Sequence, residues 1–167
     1  MHKFGRRNYL GKELWLPWEV SSLCQSCCRS KFVFDTLFLI LVENCSSSFA
    51  IAAANAISDR LCMITGQNVR LSPQHFLSCQ EDAEGNECKG GSIASFLDFA
   101  KKKGVVDENC FAYQGEENVA CPSTIEQCQK YFINDYCVAN GVEGIKREIL
   151  KHGPVIAYIP VFRDFLV

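Results

Sequence analysis

The side chains that could carry chemistry in this chain are its eleven cysteines, its three histidines and serines placed where helices should begin. Eleven cysteines in 167 residues is well above ordinary usage and points to an oxidising compartment. Six of them lie between Cys79 and Cys137, spread through loops rather than paired as C-x-x-C, which favours disulfides over zinc. Cys24-Gln25-Ser26-Cys27-Cys28 could be half a zinc knuckle, but no second pair or neighbouring histidine completes it, so no metal is expected. Among the histidines, His152 falls at a predicted helix end, where a partly protonated imidazole complements the dipole. His75 falls in a short helical segment, where packing or surface placement suits it better than catalysis, and His2 lies in a basic start.

These groups need elements to hold them. Residues 48–64 carry Phe49, Ala53, Ala56, Ile57 and Leu61 at helical spacing, and Gly66-Gln67-Asn68 should end that helix. Ser72-Pro73 should open a short helix through Leu77, with serine as cap and proline in the first turn. Ser92 should cap a third helix carrying Ile93, Phe96, Leu97 and Ala100, closed by Gly104; Lys101, Lys102 and Lys103 read as its solvated end. A fourth, Glu143 to His152, has Ile145, Ile149 and Leu150 on one face and stops at Gly153-Pro154. Val155 to Phe162 reads as a buried strand. Residues 1–43 have weaker logic, with a cysteine cluster, a basic patch and the apolar run Phe32 to Val42.

From residue 44 the chain resembles the papain family of cysteine proteases, of the cathepsin B and C type. Asn44-Cys45-Ser46-Ser47-Ser48-Phe49-Ala50 is similar to the family's Q-x-x-C-G-S-C-W-A-F, and Ala56-Ile57-Ser58-Asp59-Arg60 follows as in cathepsin B. Leu71-Ser72-Pro73-Gln74, Cys88-Lys89-Gly90-Gly91, Cys110-Phe111-Ala112-Tyr113 and His152-Gly153-Pro154-Val155 resemble L-S-x-Q, C-x-G-G, C-F-P-Y and G-P-V in the same order. Arg163-Asp164-Phe165-Leu166 resembles the motif Y-x-D-F-L. The resemblance implies an α+β, papain-like fold: mainly the helical left-hand domain, with the start of the β-rich right-hand one. It divides the chain into a poorly matching segment, 1–43, and a partial peptidase domain, 44–167, that stops before the family's catalytic His and Asn.

In that family a thiol at the N-terminus of the central helix is ionised by the helix dipole and an imidazole from the other domain. A side-chain amide and a backbone N–H bind the oxyanion. The resemblance places Ser48 at the nucleophile position and Val42 at the position of the oxyanion glutamine. A hydroxyl is far harder to ionise than a thiol, and a dipole effect of ~0.3–1 kcal/mol cannot make the ion pair. Loss of one oxyanion donor costs about 10²–10³ in rate. With the His and Asn absent as well, no triad is expected, and the chain should be inactive.

The resemblance also implies disulfides Cys45–Cys88, Cys79–Cys121 and Cys110–Cys128, and Cys62 joined to one of Cys24, Cys27 or Cys28, leaving Cys137 over. Gly90 and Gly91 would form the strip that pairs its backbone with an extended peptide, and Ile93 would line the pocket for its second side chain. A loop turn before the third helix is the alternative reading of the glycines. Asn44-Cys45-Ser46 fits the glycosylation pattern but should be unmodified beside a disulfide.

A net charge of −2 argues against a nucleic-acid partner, and the apolar run 36–42 is too short to span a bilayer. The basic start lacks the apolar core of a signal peptide, although the resemblance implies a lysosomal or extracellular setting. No cofactor is expected; the expected partner is a peptide or protein in the cleft. Three readings follow. The first is an inactive peptidase homologue, in the manner of the tubulointerstitial nephritis antigen class, a secreted matrix protein with serine at this position. The second is an active cathepsin B- or C-like endopeptidase whose coding sequence has been read incompletely, and the third is a small disulfide-rich binding module. A half-molecule should also expose the apolar face around Phe49 and Ile57 and depend on a partner.

Overall fold

The computed structural model describes residues 45–80 and 88–158. Four α-helices lie in these segments: α1, Ser48–Thr65; α2, Pro73–Cys79; α3, Ile93–Lys102; and α4, Gly141–His152. A 3₁₀ turn at Ser123–Gln127 sits between α3 and α4. Extended pairing among the described residues is limited to two antiparallel bridges, Leu71 with Asp107 and Val105 with Tyr131.

Local chemistry sets the boundaries. Gly66 ends α1 in the left-handed conformation, with its N–H on Cys62 O. Ser72 Oγ caps α2 by accepting from His75 N–H at 3.2 Å while donating to Phe111 O, so the cap is also a tertiary tie. Ser92 Oγ accepts from Ala94 N–H at the start of α3. Helix α4 begins at Gly141, two residues before the expected Glu143, and stops at Gly153.

The core lies where α2 and α3 both pack on α1. Helix α1 contributes small side chains, Ala50, Ala53 and Ala54, which let the helices approach closely. Phe76 of α2 fills the centre, edge-on to Phe49 at 5.9 Å and to Phe99 at 5.4 Å, and tilted against Phe96 at 5.1 Å. Ser58 Oγ donates to Ala54 O and accepts from Leu71 N–H at 2.9 Å, pinning the bridge segment to α1. A smaller cluster of Val106, Phe111 and Ile125 lies against two of the disulfides. Cys45–Cys88, Cys79–Cys121 and Cys110–Cys128 are all formed. Each closed loop contributes on the order of 2–4 kcal/mol. Cys62 is buried, and the expected partners Cys24, Cys27 and Cys28 lie outside the described residues; Cys137 is an exposed thiol.

Two expectations need correction. Val155–Tyr158 is not a buried strand: Tyr158 is 91% exposed, and no strand among the described residues offers a ladder to pair with. The remainder of that expected strand lies outside the described residues. Phe49 and Ile57 are half-buried and packed on the core, because Phe49 finds Phe76 and Gly91 within this part of the chain. An exposed apolar face lies on α4 instead, where Val142, Ile145, Ile149 and Leu150 are exposed and Leu150 is 86% so. This helix is attached by polar contacts: Arg60 of α1 donates to Pro154 O at 2.9 Å and pairs with Glu148 at 3.2 Å.

Candidate functional site

The N-terminus of α1 is built from three short segments. The Cys45–Cys88 disulfide and the bond from Ser46 N–H to Cys88 O, 2.8 Å, clamp residues 45–47 against the loop carrying Gly90 and Gly91. Ser47 occupies the N-cap but does not cap. Its side chain is buried and turned to Tyr113, with 2.5 Å between the two hydroxyl oxygens. The backbone N–H groups of Ser48 and Phe49, the first two of the helix, have no intrahelical acceptor. The Ser48 side chain, exposed on that first turn, makes no hydrogen bond among the described residues. An exposed hydroxyl beside unsatisfied amides at the positive end of an eighteen-residue helix is a place suited to an anion or a carbonyl oxygen.

The two neighbouring glycines serve different needs. Gly90 has φ +94°, a turn conformation costly for any other residue, and open space where a side chain would go. Gly91 has an ordinary φ, but a Cβ there would fall 2.4 Å from Cζ of Phe49. Phe49 therefore forms a floor under Gly91, whose other face is exposed, and Ile93 is half-buried just beyond it. Gly90 thus serves a turn, and Gly91 leaves room for the Phe49 ring of this chain.

Tyr113 is held from two sides. Glu108 accepts from Tyr113 N–H at 3.1 Å, and buried Gln74 accepts from Gln114 N–H at 3.0 Å while donating to Ser78 at 2.9 Å. Burial pushes the Glu108 carboxyl above its ordinary range, although the Tyr113 N–H and Arg70 oppose this. The positioning roles of Tyr113, Gln74 and Glu108 were missed in the sequence. Tyr113 and Gln74 stand inside recognisable motifs, but nothing local tells that Tyr113 reaches a serine sixty-six positions earlier.

The described histidines are both engaged away from Ser48. His75 is 3% exposed, edge-on to Phe99 at 5.0 Å, and its Nδ1 accepts from Val106 N–H at 3.3 Å. Burial first, and the charge of Lys130 second, bring its pKa down to about 4. His152, at the end of α4, pairs with Glu148 at 3.0 Å. Burial alone would raise the Glu148 carboxyl, but hydrogen bonds from His152 and Arg60 outweigh it and hold it below the usual value. Val42, Asn44, His2 and the segment Arg163-Asp164-Phe165-Leu166 lie outside the described residues. No cluster of three or more His, Cys, Asp or Glu side chains suited to a metal occurs among the described residues, and no described helix is long and apolar enough to cross a membrane.

Comparison with known proteins gives this arrangement its relatives. Residues 41–167 match the model of the papain family cysteine protease. Cathepsin B of Dictyostelium discoideum is 33% identical over 142 residues, covering 73% of this chain and 45% of that protein. A tubulointerstitial nephritis antigen-like protein of Rattus norvegicus is 27% identical over 153 residues, covering 74% of this chain and 32% of that one. Among solved structures, procathepsin B S9 from Trypanosoma congolense superposes with a TM-score of 0.57 at 29% identity, covering 65% of this chain and 40% of that one. The chain thus spans less than half the length of these curated relatives. Its fold is papain-like, and the described residues are mainly helical with little extended pairing, consistent with the left-hand domain.

Proposed function

The chain belongs to the papain family of cysteine proteases, and from that premise we propose that it is a peptidase homologue that binds extended peptide without cleaving it. The family resemblance assigns Ser48 to the nucleophile position, and the observation that supports the reading is an exposed hydroxyl on the first turn of α1 with no base hydrogen-bonded to it among the described residues. A serine nucleophile requires such a base within hydrogen-bond reach. His75, with a pKa near 4 and its Nδ1 already occupied, and His152, paired with Glu148, are committed elsewhere. Val42 at the oxyanion position offers no donor, which leaves the Ser48 N–H as the donor from this helix. Gly90, Gly91 and Ile93 keep the surface on which a peptide backbone and one side chain would lie. Residues 44–167 would form the partial peptidase domain, with 1–43 a separate segment. A lysosomal or extracellular setting agrees with the family and with three disulfides. The test is hydrolysis of a fluorogenic dipeptide by the full chain. No turnover above buffer is expected for it or for Ser48→Cys, and turnover by either overturns the reading.

Two other readings rest on particular relatives. Similarity to the tubulointerstitial nephritis antigen-like protein favours a secreted, non-catalytic matrix or interaction role, compatible with the same inactive site. Similarity to cathepsin B favours an active endopeptidase of which this sequence is an incomplete reading. Sequencing the transcript separates them from the main reading: a cysteine codon at position 48, together with codons for an oxyanion donor at position 42 and for a catalytic His and Asn, would favour the active form.

A further inference from the structure

At the C-terminal end of α3 lies a cleft of about 450 Å³ that shares no lining residue with the Ser48 site. The ten residues of α3, about 15 Å of helix, separate it from Ser92 and the glycine loop. Its volume falls in the ~300–1,000 Å³ range of small-molecule sites, and its lining is divided evenly between apolar walls and polar or charged side chains.

The apolar walls are Phe99, Ile125, the Cys79–Cys121 disulfide and Phe132. Phe132 is held although 59% exposed: its ring lies on Gly104, and its neighbours Tyr131 and Ile133 are bonded to Val105 and Ala100. A fixed, open aromatic face is therefore presented at the rim. The charged groups are Lys102, Lys103, Lys130 and Glu126. Glu126 is taken by Lys130 at 2.7 Å and the Lys103 ammonium lies over the Phe99 ring at 5.9 Å, so Lys102 supplies the excess of positive charge in the cleft. Lys101, one position earlier, turns instead to Asp135 at 3.2 Å, while Lys102 has no ion pair among the described residues. The excess charge suits the helix end, whose last carbonyls carry the negative pole of the dipole.

The deepest polar group is His75. Its Nδ1 accepts a backbone N–H, which assigns the ring proton to Nε2. No hydrogen bond engages that Nε2–H among the described residues, and His75 lines the cleft. A neutral donor on a nearly buried side chain thus stands in the same cleft as an ammonium group and two aromatic rings.

We propose that this cleft binds a small organic anion, a carboxylate on a flat aromatic body, with the ring against the exposed face of Phe132 and the carboxylate toward Lys102 and His75 Nε2–H. A bound anion beside His75 favours the protonated imidazole and so raises its depressed pKa. The probe is 2-naphthoate, titrated into the full chain by calorimetry, with 2-naphthylmethanol as the neutral comparator. The naphthoate should bind one per chain, at least about tenfold tighter than the alcohol, and lose about tenfold in affinity in Lys102→Ala. The surface variant Phe132→Ala should weaken both ligands. His75 followed by NMR should titrate at higher pH when naphthoate is saturating. Equal affinity for acid and alcohol, unchanged affinity in Lys102→Ala, an unmoved His75 titration, or no saturable binding would each overturn the proposal.

Discussion

Phe49 lies under Gly91 so closely that a methyl group on the glycine would sit 2.4 Å from the ring's Cζ. The contact joins the first turn of the long helix to the loop fastened by Cys45–Cys88, and it shapes the floor on which a peptide would lie.

Gly91→Ala must therefore displace an aromatic ring that also packs edge-on against Phe76. We expect a loss of about 1–3 kcal/mol in urea unfolding, as for overpacking elsewhere. Gly144→Ala is the control: it lies inside α4 with nothing within 4 Å of its added methyl, and should stabilise by about 0.5–1 kcal/mol. Similar losses at the two sites would refute the close contact.

The Ser47–Tyr113 bond keeps the N-cap side chain away from the helix it could cap. Tyr113→Phe releases Ser47, and one route open to its hydroxyl is the helix amides. The lost bond and the gained cap are each worth about 1 kcal/mol, so stability should change by less than about 1 kcal/mol. Amide exchange at Phe49, the second helical position and the one such a cap reaches, should slow in this variant. Unchanged exchange there would mean that the Ser47–Tyr113 bond does not hold that amide open.

His75 gives the fold a pH dependence of known sign. Its folded pKa of about 4 lies below its ordinary 6.5, so the stability it contributes is complete above 6.5 and is lost as pH falls toward 4. The loss from this group is on the order of 3 kcal/mol. The raised carboxyls of Glu108 and Asp59 act in the opposite sense around the carboxylate range. Comparison with His75→Gln isolates the imidazole: urea unfolding of the wild type should weaken more between pH 7 and pH 4.5 than that of the variant. Equal weakening in both would exclude His75 as the source.

The features legible in the sequence were those made by neighbours along the chain. Ser72-Pro73, Ser92, Gly66 and Gly153 mark helix ends through local capping and turn chemistry, and the helices begin and stop within a few residues of them. The three disulfides followed from the family resemblance and not from spacing. What failed depends on distant partners. Val155 to Tyr158 has the composition of a strand, but a strand exists only where a second one can bond to it. On α1, periodicity selects Phe49, Ala53, Ala56, Ile57 and Leu61, whereas the buried residues are Ala50, Ile51, Ala53, Ala54, Ser58 and Cys62, so that Ala53 alone belongs to both sets. Small residues mark the closest helix approach, and hydrophobicity alone does not reveal it. The expectation for Val42 lies outside the described residues.

The central claim is that Ser48 is a nucleophile position without a nucleophile. The most direct measurement is peptide mapping by mass spectrometry after the full chain is treated with an epoxide inhibitor of thiol proteases. The account predicts no adduct on the peptide containing Ser48, even if the exposed thiol of Cys137 reacts slowly. A stoichiometric adduct on Ser48 would contradict it.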